Sequence, residues 1–296
     1  MRKSMGVSGY AFDAINYALL ALLGIATLYP FLNLMAISFN HPMDTIRGQV
    51  YLWPNEFTWS NYLIVFENDG LLGAAGRSVA RTLLGTFLSV TCTTMLAFTL
   101  SRKEYVLRKS INYVLIVSMY VSGGIIPGYM LIKNLGLLNS FWVYIIPGLI
   151  GVYNVIIIRS YFDSMPEGLM ESAKIDGASD FQLFSKIALP TSLPVLATIT
   201  LFVSVGHWNA WFDNYLYNTK PNLSLLQYEL MKILIQSTSQ VTSNATGYVD
   251  KETLRQTTPQ SIRATMTVIV TLPILFVYPF MQRYFIKGIM VGSIKE

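Results

Sequence analysis

Apolar residues in this chain gather into six long stretches separated by polar segments. They cover residues 17–39, 79–100, 111–132, 141–158, 191–211 and 264–285. A helix of about 20 mostly apolar residues crosses the ~30 Å hydrocarbon core of a bilayer. Each stretch meets or nearly meets that length, the fourth and fifth being the weakest. Pro30, Pro127, Pro147, Pro194, Pro273 and Pro279 fall within or at the edges of these stretches. Prolines are tolerated in spans whose freed backbone groups are satisfied by neighbours, which favours a packed bundle over isolated anchors. The pattern predicts an all-α integral membrane protein with six transmembrane helices.

Composition agrees. Of the 296 residues, 53% are hydrophobic and 12% charged, against roughly 25% charged in soluble domains. The net charge of +5 is dispersed. No stripe of Lys and Arg interleaves with aromatics as a nucleic-acid surface needs, so no nucleic-acid partner is expected. The lone cysteine, Cys92, precludes an internal disulfide and reads as a small buried hydrophobe. No small-residue cleavage site follows the first apolar stretch, which is also too long for a signal-peptide core; it is expected to be retained.

Orientation follows from Lys and Arg in short loops. Arg102, Lys103, Arg108 and Lys109 cluster after the second stretch, whereas the next loop has only Lys133 at its edge. The former is expected inside. Six spans then put both termini in the cytoplasm, where Arg2, Lys3, Arg283, Lys287 and Lys295 suit them. The expected layout is a cytoplasmic N-terminus (1–16), a permease domain (17–286) and a cytoplasmic tail (287–296). Polar segments 40–76 and 213–262 lie outside, and 163–190 lies inside. Arg77, Arg81 and Arg263 sit near expected outer ends, where they can snorkel to the interface. The Asn244–Thr246 sequon reads as chance in a region rich in Asn and Thr.

The middles of the six stretches contain no Asp, Glu, Lys or Arg. Carriers that couple to ions usually keep ionisable groups there. A neutral sodium site of backbone and hydroxyl oxygens stays open, so an ion-coupled or facilitative carrier or channel is the alternative function. There is no His-Glu-x-x-His helix and no phosphate-binding loop. The Gly-rich residues 70–78 have the wrong spacing, and Arg77 stands where lysine would be. If ATP drives this protein, another chain binds it; no cofactor or metal is expected here.

The inner segment 163–190 is long for a connection in a bundle, where 2–8 residues are usual. It predicts two short helices. Pro166-Glu167 is a helix-start signal, and Leu169, Met170 and Ala173 form an apolar side. Gly177 can take the positive φ that stops a helix. Ser179 or Asp180 can cap the next one, along which Phe181, Phe184 and Ile187 recur. Periodicity alone leaves open a hairpin on the membrane surface and docking on a partner.

Glu171-Ser172-Ala173, then Gly177, then Ile187-x-Leu189-Pro190 resembles the EAA loop of ABC importer permeases in every spacing, with serine replacing the second-position alanine. The resemblance continues through Leu28-Tyr29-Pro30-Phe31, Ser122-Gly123-Gly124-Ile125-Ile126-Pro127, Ile175-Asp176-Gly177-Ala178, Gly206-His207-Trp208-Asn209, Tyr278-Pro279-Phe280 and the run Gln282 to Gly288. These look like MalG-like carbohydrate-uptake permeases, most similar to the branch serving complex oligosaccharides such as alginate or pectin fragments. The resemblance implies a type I importer fold in the bacterial inner membrane. It also implies a second related permease, two ATPase subunits that bind ATP and magnesium, and an external solute-binding protein that delivers an oligosaccharide.

It implies, further, that Glu171, Ser172, Ala173, Asp176, Gly177 and Ala178 form a coupling helix in a cleft of the ATPase. The residues themselves agree: small side chains allow close approach, and acids can pair with basic groups. His207, Trp208, Asn209, Trp211, Asn214 and Tyr215 cluster at the outer end of the fifth stretch. They are either interface aromatics or sugar contacts, with Asn209 the foremost candidate. Gly123, Gly124 and Pro127 either unwind the third span or allow close helix packing. In the resembling family the tail of this subunit type can reach between the ATPases; here residues 292–296 either do so or fray.

Overall fold

The computed structural model describes residues 7–48, 50–67, 69–243 and 258–293. They form helices and irregular connections, with one isolated bridge, Asn40–Phe57. The first helices are α1 (Val7–Ser38), α2 (Pro42–Ile46), α3 (Ser60–Glu67) and α4 (Asp69–Ser101). Next come α5 (Arg108–Tyr120), α6 (Ile125–Asn134) and, after two 3-10 turns at Phe141–Tyr144 and Ile146–Gly148, α7 (Val152–Asp163). Residues 163–190 hold α8 (Glu167–Ile175), α9 (Asp180–Gln182), a π turn at Leu183–Ala188 and α10 (Leu189–Thr191). The chain continues through α11 (Leu193–Asn209), α12 (Phe212–Tyr217), α13 (Leu226–Ser243) and α14 (Pro259–Ser293).

Among the described residues, three helical stretches are long and apolar enough to cross a membrane: Gly9–Ser38, Gly70–Ser101 and Pro259–Pro279. There are up to five if two bent pairs each count as one span. Phe141–Gly148 meets Val152–Asp163 at 46°, and Asp180–Thr191 meets Leu193–Asn209 at 81°. The third expected span is interrupted: residues 121–124 are extended between α5 and α6, with Gly124 at φ 82°. The cause is local. Pro127 has no N–H for the Gly123 carbonyl and its ring crowds that carbonyl; Pro30 and Pro273 lack the same bond yet stay inside α1 and α14, and here Gly123 and Gly124, which disfavour helix, let the backbone break. A Cβ on Gly124 would meet nothing within 4 Å, and one on Gly123 only Pro127 at 3.6 Å. These glycines therefore sit in an unwound stretch of backbone, and within this chain no helix packs against them.

The 81° bend has a similar origin. Pro194 cannot donate to Pro190, nor Pro190 to Lys186. Hydroxyls add bonds to carbonyls beside the freed ones: Ser192 Oγ donates to Ala188 O (2.7 Å) and Thr191 Oγ1 to Ile187 O (2.7 Å). The polar segments 40–76 and 213–262 are also more helical than their composition suggests. Helix α4 begins ten residues before its expected span, and α12 and α13 occupy a segment read only as polar.

The chain divides into two compact units, residues 1–68 with 232–271, and residues 69–231 with 272–296. In the first, Ala36, Ile37, Val50 and Ala264 form a small core. Beside α2 and α3, Asn40 Nδ2 donates to Asp44 and Thr45 (3.0 Å each), and Asn61 Nδ2 donates to the Ser38 and Asn40 carbonyls (3.0 and 2.9 Å). In the second unit, α4 packs along α7 and α11. The main core there joins Phe98 and Leu100 of α4, Ile158 and Phe162 of α7, Met170 of α8, Leu183 and Ile199.

Candidate functional site

Two places in the second unit gather the residues singled out from the sequence. In the first, within residues 163–190, Pro166 is the N-cap of α8, with φ and ψ of −57° and 123°, and Asp176 is its C-cap. Gly177 follows at φ 83°. Its N–H donates to Lys174 O (3.0 Å), and the Ala178 N–H to Ala173 O (2.9 Å). Those two bonds are the Schellman pair that closes a helix through a left-handed residue. Ser179 then caps α9: Ser179 Oγ accepts from Gln182 N (3.3 Å), and Gln182 Oε1 accepts from Ser179 N (2.9 Å). The two short helices and their turn thus form as the residue pattern predicts.

Helix α8 is fixed on one side and open on the other. Met170 is buried, and Ala173 and Ala178 pack against the same core as α4 and α7. Lys174 Nζ donates to both Glu104 oxygens at 2.7 Å, bracing α8 on the loop after α4. That hydrogen bond, reinforced by the ammonium charge, holds the Glu104 carboxyl below its ordinary range. Glu171, Ser172, Asp176 and Gly177 are exposed. So are Leu169, Ile175 (86% exposed) and Phe181. A cleft of about 190 Å³ beside them is lined by Arg102, Lys103, Glu104, Asp163, Glu171 and Lys174 among others. Asp163 lies 3.3 Å from Arg159 Nε and 3.7 Å from Arg108, tying α5 to α7 behind that cleft.

At the other end of α11 the predicted cluster separates. Asn209 and Tyr215 are exposed, and Trp208 and Trp211 are half-buried. Trp211 meets the Phe212 ring edge-on at 5.6 Å. Asn214, in contrast, is 1% exposed. Its Oδ1 accepts from Leu225 N (2.8 Å) and so is held by the loop after α12. Sequence reasoning misplaced Arg81. Instead of snorkelling, it is 3% exposed. Its guanidinium makes a two-pronged ion pair with Asp213 and donates to Ala210 O (3.1 Å). It lies over the Tyr144 ring, 4.9 Å from the centroid. Arg77 Nε donates to Ser224 O (2.8 Å) and so is held as well. Arg81, Tyr144, Asn154, His207, Asp213 and Tyr217 are among the residues around a cavity of about 330 Å³. The missed signal was an arginine inside an apolar run with an acid just past the end of another, since buried charges are normally paired.

The family described as binding-protein-dependent transport system inner membrane component matches residues 75–291. The chain belongs to this family. Both places described above lie inside the matched region of this inner-membrane transport component. It is 38% identical over 290 residues to Protein LplC of Bacillus subtilis (strain 168), covering 97% of this chain and 96% of that one. It is 35% identical over 285 residues to the polygalacturonan/rhamnogalacturonan transport system permease protein YtcP of the same organism, covering 96% and 98%. Its fold matches a crystal structure of a bacterial ABC transporter involved in the import of the acidic polysaccharide alginate, with a TM-score of 0.83, 24% identity, and coverage of 96% and 99%. The MalG-like resemblance read from the residues thus agrees with the family match.

Proposed function

We propose that this inner-membrane component is one of two related permease subunits of an ATP-driven importer, and that its cargo is an oligosaccharide. The observation that carries the coupling half of this reading is α8. One face is locked into the core of α4, α7 and α11, while Glu171, Ile175 and Asp176 are left outward on a helix closed by Gly177. A rigid helix with an exposed acidic and apolar face is suited to transmit force from a partner. In this proposal Glu171, Ser172, Ala173, Asp176, Gly177 and Ala178 dock on an ATPase subunit, ATP hydrolysis belongs to that partner, and an external binding protein delivers the sugar. The names of the relatives support a saccharide cargo of the pectin-fragment class.

The same reading takes α5 and α6 as one interrupted span, which with α1, α4, the two bent pairs and α14 makes six. Both termini are then cytoplasmic, residues 163–190 lie inside, and 40–76 and 213–262 lie outside. Trp208, Asn209, Trp211 and Tyr215 stand at the outer mouth of the sugar path. The tail contact of residues 292–296 with the ATPases remains part of the proposal, and residues 294–296 lie outside the described ones. The test is co-purification with ATPase subunits encoded in the same genome, followed by ATP-dependent oligosaccharide uptake into proteoliposomes. Uptake by this chain alone, without an ATPase, would establish the stand-alone carrier instead.

A further inference from the structure

The cavity beside Arg81 is built differently from a packing gap. Two of its polar groups rest against glycines, where a side chain would displace them. A Cβ on Gly85 of α4 would lie 2.7 Å from His207 Nε2, so the imidazole rests directly on that glycine. A Cβ on Gly151 would lie 2.9 Å from Asn154 Nδ2, so the carboxamide folds over that one. Arg81 and Asp213 form the third polar element, with the Tyr144 ring beneath the guanidinium. Arg81 Nε is buried with no hydrogen-bond partner.

We propose that this cavity is a saccharide subsite that takes one neutral, hydroxyl-rich sugar ring and reads it through Asn154, His207 and the Arg81–Asp213 pair. The inference rests on the importer reading above and adds a site and a charge preference to it. A volume of about 330 Å³ is at the small end of ligand pockets, which run from about 300 to 1,000 Å³, and so suits one ring rather than a chain. Each sugar hydroxyl both donates and accepts. A guanidinium beside a carboxylate offers a donor and an acceptor side by side, which two adjacent hydroxyls can meet, and Asn154 adds both kinds of group. The charge preference follows from the pair. Asp213 already neutralises Arg81 on two prongs, so a uronate carboxylate would enter beside a like charge in a poorly screened site. The ring that fits is neutral, even where neighbouring units of the same oligosaccharide are acidic.

The experiment uses the purified complex of this chain with its partner subunits in nanodiscs, without the delivery protein. The probes are neutral trisaccharides of glucose, galactose and arabinose, and trigalacturonate, measured by equilibrium dialysis. Expected is binding of at least one neutral trisaccharide, with trigalacturonate at least tenfold weaker. Asn154→Ala and His207→Ala should each weaken the neutral ligand at least tenfold. Asp213→Asn, which keeps an acceptor but removes the charge, should move the preference toward trigalacturonate. Absence of neutral binding, or neutral binding untouched by both Asn154→Ala and His207→Ala, overturns the subsite. An unchanged preference in Asp213→Asn overturns the charge argument. The two variants that leave the ion pair intact keep the test decisive if Asp213→Asn does not assemble. ATP-dependent uptake by the wild-type complex, run in parallel, separates failure of the subsite from failure of the importer reading.

Discussion

Replacing Gly177 isolates backbone geometry from packing. At φ 83° the residue is in the left-handed region, and a Cβ there would meet nothing within 4 Å. The cost of a side chain is therefore conformational. For alanine it is about 1–2 kcal/mol, which moves a two-state balance roughly 5–30-fold. Valine, β-branched and a true outlier at positive φ, costs more; asparagine, which visits this region, costs less. A backbone that relaxes out of positive φ gives up the bonds from Gly177 N to Lys174 O and from Ala178 N to Ala173 O. The end of α8 then turns relative to the core that Met170 and Ala173 anchor. The bundle has no reason to unfold, because Gly177 itself is exposed. In proteoliposomes, sugar transported per ATP hydrolysed should fall in the order Gly, Asn, Ala, Val at equal amounts of assembled complex. Glu171→Lys, which reverses charge on the outward face, should lower coupling without disturbing the turn. Wild-type coupling in both Gly177→Val and Glu171→Lys would refute the argument that this helix transmits the work.

Other consequences are directly measurable. In intact cells, Ser239→Cys should react with an impermeant thiol reagent and Ser179→Cys should not; labelling of the latter from outside would invert the orientation. Glu104 is held below its ordinary pKa by Lys174, so its contribution is present above the unfolded value and lost as pH falls through the lowered folded one. Glu104→Gln should thus lower the melting temperature near neutral pH by a small amount, the pair being exposed, and the difference should shrink as the pH falls below the ordinary value of 4.5 and vanish below the lowered folded value. Arg81→Ala leaves Asp213 without its partner and should destabilise the complex by about 3–5 kcal/mol. The double replacement Arg81→Met with Asp213→Leu should recover much of that in a thermal melt, yet not sugar binding.

What the sequence made legible divides by range. The turn at Gly177, the Ser179 cap and the start at Pro166 depend on residues within a few positions of one another, and local rules recover them. The uninterrupted apolar runs of α1, α4 and α14 are equally plain, because hydropathy sums what a bilayer senses. Hydropathy counts side chains and not backbone hydrogen bonds, so it carried the third span straight through Gly123 and Gly124. Pro127, just after those two glycines, marked the weak point in that path. The same blindness hid the 81° bend beside Pro190 and Pro194. The outer site was hidden for another reason. Arg81 and Asp213 stand 132 positions apart, and nothing local distinguishes an arginine that snorkels from one that is buried and paired. Asn209 and Asn214 show the converse. Both are amides at or just beyond the C-terminal end of α11, yet only packing reveals that Asn214 Oδ1 is held by Leu225 N. An ionisable residue in an apolar run is better matched first to opposite charges near the ends of other runs. Here that search reaches Asp213, two residues beyond Trp211, and through it the cavity between α4, α7 and α11.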